Sequence, residues 1–222
     1  MFAKPTSNWR GPALLLTLGT LNILFGALQL GNIYQGDAAN ADLSNDYYHE
    51  TPIPIVLHIV AGIVLNLLGP FQFATGFRAR RPGFHRWSGR LLVLAGVLVG
   101  ITGLWMNEIF PPYGGLLKYS GIVAHSVGIL IALFLAMRFI LNRQIAKHRV
   151  WMMRAVAIGL GPATQRLFVL PVFFITGNIN EQLIGLVVWG SLFLNLLVVE
   201  WILYREKQQT ISHIHPKQQQ FI

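Results

Sequence analysis

Four histidines and one arginine carry the chemistry this sequence can support. His58 and His125 stand inside long apolar stretches, while His85-Arg86-Trp87 and His148-Arg149-Val150-Trp151 each open another such stretch. The chain has no cysteine. That excludes disulfides, thiolate zinc sites, iron–sulfur clusters and haem attached through C-x-x-C-H. A bound metal must therefore use His, Met, carboxylate or carbonyl ligands. An ionisable side chain within a membrane segment is functional by default. The bland alternative for His58 and His125 is a hydrogen bond to a backbone carbonyl or a neighbouring Asn. For His85 and His148 it is contact with lipid phosphate at the interface. Arg166, in Gly161-Pro162-Ala163-Thr164-Gln165-Arg166, is costly in hydrocarbon and should face the bundle interior. There it could pair with Glu108, hold a haem propionate or bind an anionic substrate; snorkelling to the headgroups is the alternative. His213 and His215 lie in a polar tail without a supporting shell and read as solvent-exposed. No nucleophile–base constellation, phosphate loop or His-x-x-x-His helix occurs, so hydrolytic catalysis has no support.

The elements that must position these residues are membrane spans. Hydrophobic residues make up 54% of the chain and charged residues 11%, against about 25% charged in a soluble domain. About twenty apolar residues cross a hydrocarbon core about 30 Å thick, and six stretches meet that length. They run from Gly11 to Gly31, Ile53 to Phe77, Phe84 to Ile109, Tyr119 to Leu141, Val150 to Ile175 and Gln182 to Tyr204. The first is too long for the apolar region of a signal peptide and reads as a retained helix. The expected fold is an all-α integral membrane protein, one domain over residues 1–206, with a polar, Gln-rich, disordered tail over 207–222. Of the seventeen Lys and Arg, all but Lys118 and Arg166 fall in segments that alternate spans place on one side. The positive-inside rule then puts both termini in the cytoplasm and the protein, multi-pass, in the inner (plasma) membrane. The same placement accounts for the net charge of +9 without nucleic-acid binding. Tyr34, Trp87, Tyr119, Trp151 and Trp201 lie near span ends and read as interfacial anchors.

Spans two–three and four–five repeat one layout over residues 53–175. Each pair begins with a helix carrying a His in its outer third, passes a basic loop, and opens its second helix with His-Arg. A parallel repeat about an axis along the membrane normal gives this pattern. At about 1.5 Å per residue, His58 lies roughly 8 Å and His125 roughly 9 Å below the outer ends of their spans. His85 and His148 share a second level near the inner surface. Side chains on facing helices of a four-helix core form cofactor sites. The expected pairs, His58 with His125 and His85 with His148, would each ligate a b-type haem.

Gly69-Pro70-Phe71-Gln72-Phe73, His85-Arg86-Trp87-Ser88-Gly89-Arg90-Leu91 and His148-Arg149-Val150-Trp151-Met152-Met153-Arg154, with Arg166 downstream, resemble the bacterial membrane proteins grouped as domain of unknown function 2306. The resemblance covers roughly residues 55 to 175 and implies a membrane protein, with no activity attached. The distribution of His58, His85, His125 and His148 over four successive helices is also similar to the cytochrome b-561 and ferric-reductase group. That second resemblance implies electron transfer across the membrane, with His58 paired to His125 and His85 to His148. The leading expectation is a b-type haem protein moving electrons between a cytoplasmic or quinone donor and an acceptor outside, with Arg86, Arg90 and Arg166 neutralising propionates. Two other functions compete with it. One is a transporter or small-ligand binder using Arg166 and polar residues such as Asn66; the other is a non-catalytic membrane scaffold.

Overall fold

The computed structural model describes residues 10–35, 47–110 and 114–214. Among them the chain is helical, with no strand: α1 (Arg10–Gln35), α2 (Tyr47–Glu50), α3 (Pro52–Phe73), α4 (Thr75–Arg80), α5 (Pro82–Ile109), α6 (Gly115–Leu141), α7 (Ile145–Gly159), α8 (Gly161–Thr176) and α9 (Glu181–Ile214). Six apolar spans result, α7 and α8 together forming the fifth, Ile145–Thr176. The acidic residues Asp37, Asp42 and Asp46 and the tail from His215 onward lie outside the described residues.

Local chemistry sets the boundaries. Pro52 and Pro82 begin α3 and α5, where a missing N–H costs nothing because the first helical N–H groups have no intrahelical acceptor. Span two therefore ends earlier than its hydropathy suggests. The backbone turns at Ala74, and Arg78 and Arg80 sit on the separate short helix α4. Gly177 closes α8 with φ 66°, and its N–H donates to the Phe173 carbonyl at 2.8 Å, a left-handed cap that glycine adopts without strain.

Span five is two helices rather than the single one expected. Pro162 has no N–H to offer the Ile158 carbonyl. The backbone tightens at Leu160, whose carbonyl accepts from the N–H groups of Ala163 at 3.0 Å and Thr164 at 3.1 Å. A side chain from α9 meets the freed backbone: Asn195 Nδ2 donates to the Ala157 carbonyl at 3.0 Å, and Thr164 donates to Asn195 Oδ1 at 2.9 Å. The second departure is at the C-terminus, where α9 continues to Ile214 instead of ending near Tyr204.

The core lies where α3, α5, α6 and α7 meet, with α9 closing one side. Leu65, Leu92, Ile129, Leu133, Ala136 and Ala155 are buried together there. Small residues bring the backbones close, as is usual for helices packed in lipid. A Cβ at Gly96 would fall 2.7 Å from Leu133, and one at Gly121 would fall 2.6 Å from Val188. α3 packs mainly on α5 and α6 mainly on α7, which are the two hairpins bearing the histidines. Buried polar bonds fix their register. Gln72 donates to Ser88 Oγ at 2.7 Å, and Ser88 in turn donates to the Phe84 carbonyl at 2.6 Å. α9 is tied to α7 by Arg149–Glu206 at 2.7 Å and Arg154–Glu200 at 2.6 Å.

Candidate functional site

Arg166 stands ten residues from the Thr176 end of α8, roughly 15 Å along the helix, or half the thickness of a hydrocarbon core. The break at Leu160 lets α8 leave the axis of α7 and pack between α1 and α9. The guanidinium then reaches α1 rather than an acid. Arg166 Nη1 donates to Asn22 Oδ1 at 2.6 Å and to the Pro162 carbonyl at 3.1 Å. Its plane lies over the Phe25 ring, 5.0 Å from the centroid, an added cation–π attraction. Glu108, one of the expected partners, accepts instead from the Tyr119 hydroxyl, so the two charges do not meet.

The hydrogens of Nη1 are both used. The Nε–Nη2 edge, with three more N–H groups, has no protein acceptor among the described residues. Neither nitrogen is fully buried, since among the described residues His85 Nδ1 is the buried side-chain nitrogen or oxygen without a partner. Arg166 lines a cavity of about 90 Å³ between α1, α3 and α8. Asn22, His58, Asn66 and Arg166 give it polarity, and Ile59, Ile63, Leu65 and Val99 form apolar walls.

The amides are held by their neighbours. Asn66 Nδ2 donates to the Gly62 carbonyl at 2.7 Å, which directs Asn66 Oδ1 at Asn22 Nδ2, 3.3 Å away. A relay Gly62–Asn66–Asn22–Arg166 follows. Gly19 and Gly26, on the face of α1 that carries Asn22, make the close approach possible. A Cβ would lie 3.2 Å from Asn66 at Gly19 and 2.9 Å from Ile59 at Gly26.

His58 enters the same cavity from α3. Its Nδ1 is 2.9 Å from Thr102 Oγ1, and that hydroxyl is 2.6 Å from the Leu98 carbonyl. The carbonyl can only accept, so the threonine proton points to it and the imidazole donates through Nδ1. Nε2 then keeps its lone pair. His125 has the same tautomer by a different route, with Nδ1 donating to the Gly121 carbonyl at 2.9 Å. Its Nε2 faces the α7–α8 break, where a Cβ on Gly161 would fall 2.6 Å away, and lies 3.5 Å from Ser191 Oγ on α9.

The expected outer pair can be compared with this geometry. His58 lines the α1–α3–α8 cavity and bonds Thr102, while His125 bonds Gly121 and lies near Ser191 at the α6–α8–α9 junction; among the described residues they have no bonding partner in common. About one to two helical turns further along their helices, Leu65, Ile129 and Leu133 are buried together in the core. A cavity of about 90 Å³ holds about three waters' share of volume, far short of a porphyrin.

The inner histidines are arranged differently. His148 Nδ1 donates to the Ala136 carbonyl at 2.9 Å, which leaves Nε2 bare. His85 Nδ1 is buried with no bonding partner, and Arg78, His148 and Arg86 are the groups electrostatically closest to it. Arg86 and Arg90 are exposed at the start of α5. No cluster of three or more metal-ligating His, Asp or Glu occurs among the described residues.

Sequence reasoning singled out Arg166, His58 and Asn66 but missed Asn22 and Thr102. Each is one polar residue in an apolar span, and only the rotation of its helix shows what it faces.

A family model described as "Predicted membrane protein (DUF2306)" matches residues 55–203. No curated protein and no solved structure matches the chain. The matched region holds α3 to α8 and most of α9, and with them His58, His85, His125, His148 and Arg166. It does not include α1.

Proposed function

The chain belongs to this DUF2306 family of membrane proteins, and we propose that it binds a small anion within the membrane at Arg166 and transports it. The observation that carries this reading is the Nε–Nη2 edge of Arg166. Three N–H donors of a cation, in a membrane-spanning helix, lack a protein acceptor and border a cavity. Desolvated donors and charges are expensive unless satisfied, and an anion satisfies both at once. The break in span five supports the reading further. Secondary transporters bind their substrates near the midplane at discontinuous helices, and Gly159 and Pro162, on either side of the break, line this cavity. In this reading both termini lie in the cytoplasm and the membrane is the plasma membrane, as the arginine-rich connections favour. The test is uptake of a panel of radiolabelled small anions into proteoliposomes. Uptake that saturates, and that falls at least tenfold in Arg166→Gln at equal reconstitution, is expected; uptake and binding indifferent to Arg166 for every anion would sink the proposal.

A second reading, electron transfer through b-type haem from a quinone or cytoplasmic donor, is favoured by one observation at the other end of the bundle. His85 Nδ1 is buried without a partner, and His148 is anchored through Nδ1 to the Ala136 carbonyl, which leaves its Nε2 bare; such a backbone-anchored imidazole is a common haem-iron and metal ligand. Bound haem would supply one-electron redox chemistry; His85 and His148 would hold it, with Arg86 and Arg90 available to its propionates. A reduced-minus-oxidised optical spectrum of protein expressed with added haem tests this, and a colourless preparation would end it.

A further inference from the structure

Building on the anion site just proposed, we infer that its ligand is a short-chain monocarboxylate, of the size of acetate or propionate. Four features of the cavity narrow the choice. Charge comes first: among the described residues no acidic side chain lines the cavity and Arg166 is its one permanent cation, so a single negative charge leaves the site neutral. A dianion would bring an uncompensated charge into the span, at the cost such charges carry there.

Shape is the second feature. Nη1 is engaged with Asn22 and the Pro162 carbonyl, and the free donors are those of Nε and Nη2. These two parallel N–H groups match the two oxygens of a carboxylate. A halide can accept from both N–H groups but offers them one atom in place of two matched oxygens, and a tetrahedral dianion is already disfavoured by charge.

Volume is the third. About 90 Å³ is about three times the share of one water in the liquid. A carboxylate with one or two further carbons fills it, and a longer chain extends beyond its walls.

The walls supply the fourth. Ile59, Ile63 and Val99 present only hydrocarbon. A methyl or ethyl group against them is favourable, whereas nitrate or formate leaves the same walls facing polar atoms or empty space. Asn22 then has a defined part. Its carboxamide oxygen, 2.6 Å from Nη1, fixes that end of the guanidinium and leaves the Nε–Nη2 edge for a ligand, and the Asn66 bond holds that amide in place.

The experiment is a competition in nanodiscs, with ¹⁴C-acetate as the probe and unlabelled propionate, octanoate, chloride, nitrate and sulfate as competitors. Acetate and propionate are expected to compete at least tenfold better than the other four. Arg166→Lys, which keeps the charge and loses the planar fork, is expected to weaken acetate at least tenfold. Because that variant can fail to fold, Asn22→Asp provides a second test. It places a carboxylate on α1 beside Arg166, and a folded, monodisperse protein that no longer binds acetate is the expected result. Chloride, nitrate or sulfate competing as well as acetate would overturn the carboxylate inference and leave the anion site standing. Octanoate competing as well as acetate would overturn the size limit. An absence of Arg166-dependent binding for every anion would overturn this inference and the proposed function together.

Discussion

At the scale of single residues, polar side chains in these spans are oriented by other polar side chains. His58 is the clearest case, because Thr102 both receives its Nδ1–H and passes its own proton to Leu98. Thr102→Val should leave that N–H without an acceptor and destabilise the protein by about 1–3 kcal/mol. Thr102→Ser, which keeps the hydroxyl, should stay near the parent. Thermal unfolding in detergent compares the two, and equal losses would show that packing rather than the hydroxyl matters at this position. Arg166 was legible in the sequence because a cation in an apolar run has few structural excuses. What it touches was not legible. Glu108 looked a suitable partner by charge, yet Asn22, from the far end of the sequence, is the residue that α1 turns towards it. Nothing in a single sequence reports the rotation of one span about its axis relative to another.

At the scale of elements, span number followed directly from apolar length, and all six are present. The helix ends followed less well. Proline signalled trouble in span five, but whether a proline kinks a helix or divides it depends on what receives the freed carbonyls. Here Asn195 on α9 receives one of them. The polar stretch after Tyr204 continues as helix because Arg, Glu, Lys and Gln are good helix formers outside a membrane as well as within soluble domains. The break has a steric signature that can be tested. Gly161→Ala would set a Cβ 2.6 Å from His125 Nε2, and that imidazole is tethered to the Gly121 carbonyl. Overpacking of this kind costs about 1–3 kcal/mol, so the melting temperature should fall. Gly190→Ala, with nothing within 4 Å of its added carbon, should leave it unchanged or raise it slightly. A Gly161→Ala protein as stable as the parent would mean that the α7–α8 junction yields freely.

At the scale of the whole molecule, the connection through α4 carries Arg78, Arg80 and Arg81, and α7 begins with Lys147 and Arg149. Retention of these cations in the cytoplasm predicts the orientation. Alkaline phosphatase inserted between α1 and α2 should be active, and the same enzyme fused after α9 inactive, while a fluorescent protein fused there should glow; the reverse pattern would invert the assignment. One feature of the architecture bears on how such a protein diversifies. The family match begins at residue 55, after α1, yet α1 contributes the amide that Arg166 grips. In the proposed anion-binding reading, the helix that orients Arg166 therefore lies outside the matched region. Substitutions on the face of α1 that carries Asn22 would then retune preference among ligands, much as a lock is rekeyed by changing its pins and not its housing.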